Sequence, residues 1–472
     1  PGVQQAEYVG RAARRRHDHV RRMEQEAVRL FAAQAAVDAD EFLQGGDGVV
    51  GIDGADDGQV AGAGVIGHAP HLPGAQFGVA IERQRVLAAD DAGMQIARAA
   101  RPQGQRHALI VGDHDQPDAV RYLVGFGQPL DTTPPMVAPG VPTMVWGGQL
   151  RLIARGLGVK NLQWWDKITY GGGASAATIM HAAAAIACGL AEVVVCHRAR
   201  NRGSKAARPW AQERELVTDD KALHVPWGLI RPVDVIGMWA HRHMHQYGTT
   251  REHLGNVAIA ARKHANRNPY AMMRDKPLDM KTYLEGRVIG YPLTLFDCCL
   301  ETDGALACVV TSVERARDLR QKPALVHSAA QASGPNPVHL ANYNTPDLQT
   351  TAVPCAELLW KRGELKPKDM DCAQIYDAFT PLVILGLEDY GFCKRGEGGP
   401  FTEGGRIELG GELPLLTSGG GLSEAYTHGF NLIVEAVRQV RGTSTAQVEG
   451  CKNVLVTGAS GVATSAMVIR GE

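Results

Sequence analysis

The sequence predicts an α/β protein built on central sheets, and three observations carry that expectation. Short β-branched runs such as Ala191-Glu-Val-Val-Val-Cys196 have the look of buried parallel strands. Helical stretches with caps and stops stand between them. The alternation recurs on both sides of a charged connector, Val313 to Lys322, so each half has strands to cover and helices to cover them.

The elements follow in order from about Val141. Ala176 to Cys188 reads as a buried small-residue helix, and Ala191 to Cys196 follows it as a strand. Thr249-Thr-Arg-Glu252 has capping-box spacing, so a helix is expected from near Thr250 to about Ala265, where Asn268-Pro269 stops it. Asp303-Gly304 precedes the strand Ala305 to Thr311. Beyond the connector, Ala324 to His327 opens the second half as a strand. Helices are expected near Pro354 to Arg362, Pro381 to Tyr390 and Asn431 to Arg441. In the last, Leu432, Val434, Ala436, Val437 and Val440 supply a face to bury. Strands at Asn453 to Val456 and Ala466 to Ile469 close the chain.

Composition narrows the function classes. The chain has 472 residues, a formal charge of −1 and a pI near 7.1, so no global field favours nucleic acid or an anionic membrane. No run of 18 apolar residues suits a membrane span, and the N-terminal stretch lacks the apolar core of a signal peptide. The nine cysteines lie scattered between Cys188 and Cys451, without paired metal spacing. A reduced, cytoplasmic protein is the expectation. No Walker or dinucleotide fingerprint occurs.

Residues 1–131 stand apart. They contain no Ser, Thr, Lys, Asn, Cys or Trp, types that make up roughly a quarter of average usage. A biased extension is one reading. A sequence read in a displaced frame, or from a misplaced start, in a GC-rich gene is the other, and it fits the composition better. No function is assigned to this segment. The expected organisation is then residues 1–131 as a distinct segment, 132–314 as a first half with a loop domain, and 323–472 as a second half.

Several motifs in sequence order carry a resemblance. They are Tyr170-Gly-Gly-Gly-Ala-Ser175, Gly189-Leu-Ala-Glu-Val-Val-Val195, Tyr247-Gly-Thr-Thr-Arg-Glu-His253 with Arg262-Lys-His-Ala-Asn-Arg-Asn-Pro269, Asp297-Cys-Cys-Leu-Glu-Thr-Asp-Gly304, Tyr376-Asp-Ala-Phe379 and Ser418-Gly-Gly-Gly-Leu-Ser-Glu-Ala-Tyr-Thr-His-Gly-Phe-Asn431. On these, residues 150–472 resemble the thiolase superfamily, in the lipid-transfer-protein branch near sterol carrier protein x thiolase. The resemblance implies two βαβαβαββ halves in five layers, α-β-α-β-α, a loop excursion in the first half, and a homodimer.

Carried over residue by residue, the resemblance implies altered chemistry. Gly172 stands where the family's nucleophilic cysteine belongs, and Leu455 where its second cysteine belongs. The Asn or His of one family motif becomes Tyr376, and the histidine of another becomes Tyr426. The binding frame for an acyl-CoA can persist without the thiol. The branch includes aldolases that cleave steroid side chains, so a retro-aldol lyase acting on a β-hydroxyacyl-CoA is the leading expectation. Tyr376 and Tyr426 are the expected catalytic pair, with His428 and Asp377 as helpers. Gly171, Gly172, Gly173 and Gly420 are expected to bring backbone close to the thioester oxygen. CoA enters as part of the substrate, no cofactor is covalently bound and no metal is expected. The resemblance also implies a zinc-ribbon/OB-fold partner protein. A thiolase with an unconventional nucleophile, for which Ser175 is the nearest residue, and a non-catalytic acyl-CoA- or lipid-binding scaffold are the alternatives.

Other features have quieter readings. His241 and His245 share a helix face, but no third metal ligand is apparent beside them and His243. Cys298-Cys299 reads as a strand entrance, as does Cys451. Arg251, Arg262, Lys263 and Arg267 could meet CoA phosphates or form a solvated face.

Overall fold

The computed structural model describes residues 109–110, 122–126, 162–168, 170–201, 225–334, 345–461 and 463–472. Of residues 109–110, 122–126, 200 and 201 only the backbone is described. The strands are β1 (Leu109–Ile110), β2 (Tyr122–Phe126), β3 (Trp164–Ile168), β4 (Val194–Asn201), β5 (Val288–Gly290), β6 (Leu293–Thr294), β7 (Asp303–Val310), β8 (Ala324–Ala332), β9 (Cys372–Gln374), β10 (Asn453–Thr457) and β11 (Thr464–Gly471). The longer helices are α1 (Ser175–Ala187), α2 (Pro232–Tyr247), α3 (Arg251–Ala265), α4 (Ala352–Gly363), α5 (Thr380–Asp389) and α6 (Phe430–Arg441).

One wiring is used twice. In the first half the strands lie in the order β1-β7-β4-β2-β3, and in the second β8-β11-β10-β9. The pairings match step for step. β1 and β8 each run antiparallel to β7 and β11. Those run antiparallel to β4 and β10, which in turn run parallel to β2 and β9. In the first half β3 lies parallel beside β2. Its counterpart in the second half is reduced to one parallel bridge, Ala373 to Leu415. β1 also pairs with β8, so the halves join edge to edge into a nine-stranded sheet. Two of its strands come from the compositionally distinct segment.

α1 packs against strands of both halves, and α6 lies beside it against β9, β10, β11 and β7. These helices fill the space between the halves, which explains why α1 is apolar nearly all round, with Ala176, Ala177, Ile179, Ala182 and Ile186 buried. α4 covers the other face of β8 and β11. The loop excursion, α2 through the β5–β6 hairpin, is inserted between β4 and β7.

Some elements differ from expectation. β4 begins three residues late, because Gly189, with φ 71°, and the turn after it consume the start of the apolar run. β8 runs five residues past His327, since the ladder to β11 overrides the polar side chains. The charged connector opens with one helical turn, Val313–Ala316, capped by the Ser312 hydroxyl. The cap of α3 is Thr250, which makes its box partner His253 rather than Glu252; the imidazole Nδ1 accepts the Thr250 N–H at 3.1 Å. β9 was not anticipated from sequence, being only three residues long.

Candidate active site

The repeated wiring brings two loops to the centre. In the first half, β3 leads through Tyr170-Gly-Gly-Gly-Ala to α1. In the second, the Leu415 bridge leads through Ser418–Gly429 to α6. Both glycine loops are therefore the same connection in the two halves. Tyr376 enters from the end of β9, its N–H held by Thr457 Oγ1 at 2.9 Å.

Tyr376 and Gly172 interlock. A Cβ at position 172 would stand 2.1 Å from the Tyr376 hydroxyl oxygen and 2.4 Å from Cζ. The phenol thus occupies the volume where any side chain at 172 would be. Gly429 makes room for the same ring, since its Cβ would lie 2.9 Å from Cδ2; Gly421 does so for Tyr426 at the same distance. The two rings meet edge to face with centroids 6.3 Å apart, and their hydroxyl oxygens are 2.5 Å apart. Both tyrosines are buried. Phenols both donate and accept, so either oxygen can be the donor in this bond. The pair is a two-step proton path: whichever oxygen gives up its proton accepts the other's.

His428 completes a three-ring cluster, 5.5 Å from Tyr426 and 6.4 Å from Tyr376 between centroids. Its φ is 61°, a left-handed conformation that costs a non-glycine residue about 1–3 kcal/mol. Gly429 follows at φ 86° and caps α6. The imidazole Nδ1 lies 3.0 Å from Nη2 of Arg198, a buried residue of β4.

Asp377 follows Tyr376 in sequence, and its carboxylate is held by the turn that carries Tyr426. It accepts the N–H groups of Gly421 at 2.9 Å and Leu422 at 3.0 Å. Gly420, at φ 58°, packs onto it, since a Cβ there would lie 2.2 Å from Oδ2. Burial pushes the Asp377 carboxyl up to about 7, with the two amides pulling the other way. Glu424 closes the same single π-turn, Gly420–Glu424. It accepts from Ser418 Oγ at 2.5 Å, Asn268 Nδ2 at 3.3 Å and Asn431 Nδ2 at 3.4 Å, and burial raises it also to about 7. Asp377 and Gly420 are thus placed in the floor of the Tyr426 loop.

The Asp297–Gly304 stretch braces both tyrosine loops. Cys299 N–H donates to Ala378 O and Leu300 N–H to Gly421 O, each at 2.9 Å. Thr302 Oγ1 accepts the Tyr426 N–H at 2.9 Å and donates to Tyr426 O at 3.3 Å. Asp297 anchors the brace by accepting from Tyr283, Thr380 and Thr294. The motif was visible in sequence; this role was not, because its contacts to the tyrosine loops lie more than 70 residues away.

The remaining residues sort as follows. Gly171, at φ 65°, has open space at its Cβ position, while Gly173 is packed against Ala463 O. Gly172 O accepts the Ala459 N–H at 3.1 Å. Leu455 does not reach the site. It lies in mid-β10, paired with Val468 and Ala373, and residues 458–459 approach Gly172 and Gly173 instead. Cys451 sits at the strand entrance with its sulfur 3.8 Å from that of Cys372. Ser175 Oγ is buried at the start of α1 and has no hydrogen-bond partner among the described residues. Arg262 turns inward to Ser423 Oγ and Lys276 O, and Lys263 pairs with Glu408. Arg251 donates to Leu284 O. His243 is buried between Thr249 and Glu388. Among the described residues no three metal-binding side chains gather, and no helix is long and apolar enough to cross a membrane.

Comparison with known proteins places this geometry. Residues 338–469 match the family model described as thiolase C-terminal domain-like. A Mycobacterium tuberculosis protein named 17-hydroxy-3-oxo-4-pregnene-20-carboxyl-CoA lyase is 43% identical over 328 residues, covering 67% of this chain and 84% of its own. The steroid side-chain-cleaving aldolase of Thermomonospora curvata is 43% identical over 326 residues, covering 67% and 83%. A solved structure described as an Ltp2-ChsH2(DUF35) aldolase is 40% identical with a TM-score of 0.66, covering 75% of this chain and 88% of that one. Human mitochondrial 3-ketoacyl-CoA thiolase shares the fold at 15% identity and a TM-score of 0.51, covering 75% and 88%.

Two predictions follow from the interlock and the loop floor. Gly172→Ala forces the phenol aside and destabilises by about 1–3 kcal/mol, and adding Tyr376→Asn recovers most of that loss. Thermal midpoints of the two single variants and the double variant decide it; additive losses would contradict the interlock. For Asp377 and Glu424 the folded carboxyl value, about 7, lies above the unfolded value of about 4. Their stabilisation is full below pH 4 and is lost as pH rises through 7. The thermal midpoint therefore falls from pH 5 to 8, and falls less in Asp377→Asn; an equal slope in that variant would contradict it.

Proposed function

The chain belongs to the thiolase superfamily, in its branch of steroid side-chain-cleaving aldolases, and from there we propose that it is a carbon–carbon lyase. It splits a β-hydroxyacyl-CoA ester of a steroid side chain, by retro-aldol cleavage, into a ketone and a shorter acyl-CoA. The observation that carries this is the Tyr376 phenol seated over Gly172 and bonded to Tyr426. A glycine offers no nucleophile for an acyl-enzyme. Two paired hydroxyls offer what a retro-aldol step needs instead.

One tyrosine oxygen takes the proton of the substrate's tertiary hydroxyl. The O–H electron pair becomes the C=O π bond of the ketone, the Cα–Cβ bond breaks, and its electrons form the thioester enolate. A proton delivered to Cα then gives the shorter acyl-CoA. One proton is taken and one is returned, so the 2.5 Å contact lets the pair restore itself without an outside acid or base. A free tyrosine has a pKa of about 10, so the step depends on this short bond to stabilise the oxyanion. Enolate charge is met by backbone near Gly171, where space is open beside the glycine turn. For a substrate of the kind in the tuberculosis relative's name, the products are a 17-ketone and a three-carbon acyl-CoA.

The same reading includes two associations. The relative named as a two-component aldolase supports a DUF35-type partner chain of zinc-ribbon/OB-fold class. The strongly exposed Trp227, Tyr291 and Val288 offer apolar surface for one. A homodimer is supported by β3, which ends the sheet and exposes Trp165.

The test uses 17-hydroxy-3-oxo-4-pregnene-20-carboxyl-CoA with the chain alone and with a DUF35-type partner. Ketone and short acyl-CoA are expected without release of free CoA. Tyr376→Phe and Tyr426→Phe should each lower kcat by roughly 10²–10⁴-fold, the worth of a positioned acid or base. Undiminished turnover in both variants would sink the assignment.

A further inference from the structure

The contact between Arg198 and His428 fixes more than position. A guanidinium can only donate hydrogen bonds. With Arg198 Nη2 at 3.0 Å, the Nδ1 of His428 must therefore be an unprotonated acceptor. The single ring proton is then on Nε2. An imidazolium would set an N–H and a positive charge against the N–H groups of a buried cation.

We propose that Arg198 is a positioning residue that holds His428 as the neutral Nε2–H tautomer, so that His428 acts as a hydrogen-bond donor to the thioester or enolate oxygen and not as a base. The functional half of this rests on the lyase reading; the tautomer rests on the bond alone. With Nδ1 engaged and Nε2 protonated, the imidazole has no free lone pair with which to accept the substrate's proton. Base work is left to the tyrosine pair, whose rings flank His428. The left-handed backbone at His428 is consistent with a side chain held for a purpose.

The surroundings reinforce one charge state. Lys167 on β3 and His197 on β4 lie near the same guanidinium. Burial and Arg198 push Lys167 down to about 8 and His197 down to about 4. An imidazolium at His428 beside this guanidinium would be repelled. Neutral imidazole used as an electrophile is a known catalytic device where a positive field suppresses protonation.

The direct measurement is ¹⁵N NMR of histidine-labelled protein, with His428→Gln to assign the resonance. The expected result is a neutral Nε2–H ring that does not titrate between pH 5 and 8. A His428 signal that becomes imidazolium in that range, or that shows the Nδ1–H tautomer, would overturn the proposal. Kinetics give an independent reading. Arg198→Met should lower kcat by roughly 10- to 1,000-fold, between the loss of an outer partner and of an oxyanion donor. It should also add an acidic limb to the pH profile as the freed imidazole titrates near 6.5, and Arg198→Lys should restore much of the rate. An unchanged profile in Arg198→Met, with normal turnover, would count against the role. Should the wild-type chain lack lyase activity, the NMR result still decides the tautomer, so failure of the lyase reading and failure of this inference remain distinguishable.

Discussion

The contact on which the site depends is the Tyr376 hydroxyl lying over the bare backbone of Gly172. It joins the end of β9 in the second half to the first turn before α1 in the first half. Neither partner works alone. A side chain at 172 would expel the phenol, and a smaller residue at 376 would leave a void at the meeting point of both central helices. The bare backbone at 172 and the phenol at 376 are therefore coupled in volume, one supplied by each half.

The backbone on which the two tyrosines sit is held by polar side chains from other elements. Thr457 fixes the Tyr376 backbone, and Thr302 fixes that of Tyr426 from both sides. Asp377 and Glu424 tie the π-turn that carries Tyr426, at the cost of burying two carboxyls. His428 adds backbone strain. Buried carboxyls and a left-handed histidine are features that stability alone would not select.

How much of this was legible in the sequence differs by residue. Tyr376 and Tyr426 could be found because each sits inside a local motif whose neighbours identify its place. The longer helices could be found because caps and periodicity are local. Asp377 was expected beside the tyrosines as a helper; its bonds to the Gly421 and Leu422 amides could not be read from sequence, because those partners lie 44 and 45 residues away. The resemblance put Leu455 where the family's second cysteine belongs, whereas the segment reaching Gly172 lies three to four residues further on. The Arg198–His428 bond, 230 residues apart in sequence, and the Gly172–Tyr376 interlock, 204 apart, have no local signature. They arise only when the repeated wiring brings the two glycine loops together.

The central claim is that carbon–carbon cleavage runs through an enolate protonated at the tyrosine pair, without a covalent acyl-enzyme. It is tested most directly by turnover of the 17-hydroxy steroid acyl-CoA in D₂O, with mass spectrometry of both the product and the protein. The account predicts one deuterium at the α-carbon of the released short acyl-CoA and no acyl adduct on the protein at any time during turnover. An acylated protein, or a short acyl-CoA carrying no deuterium, would contradict it.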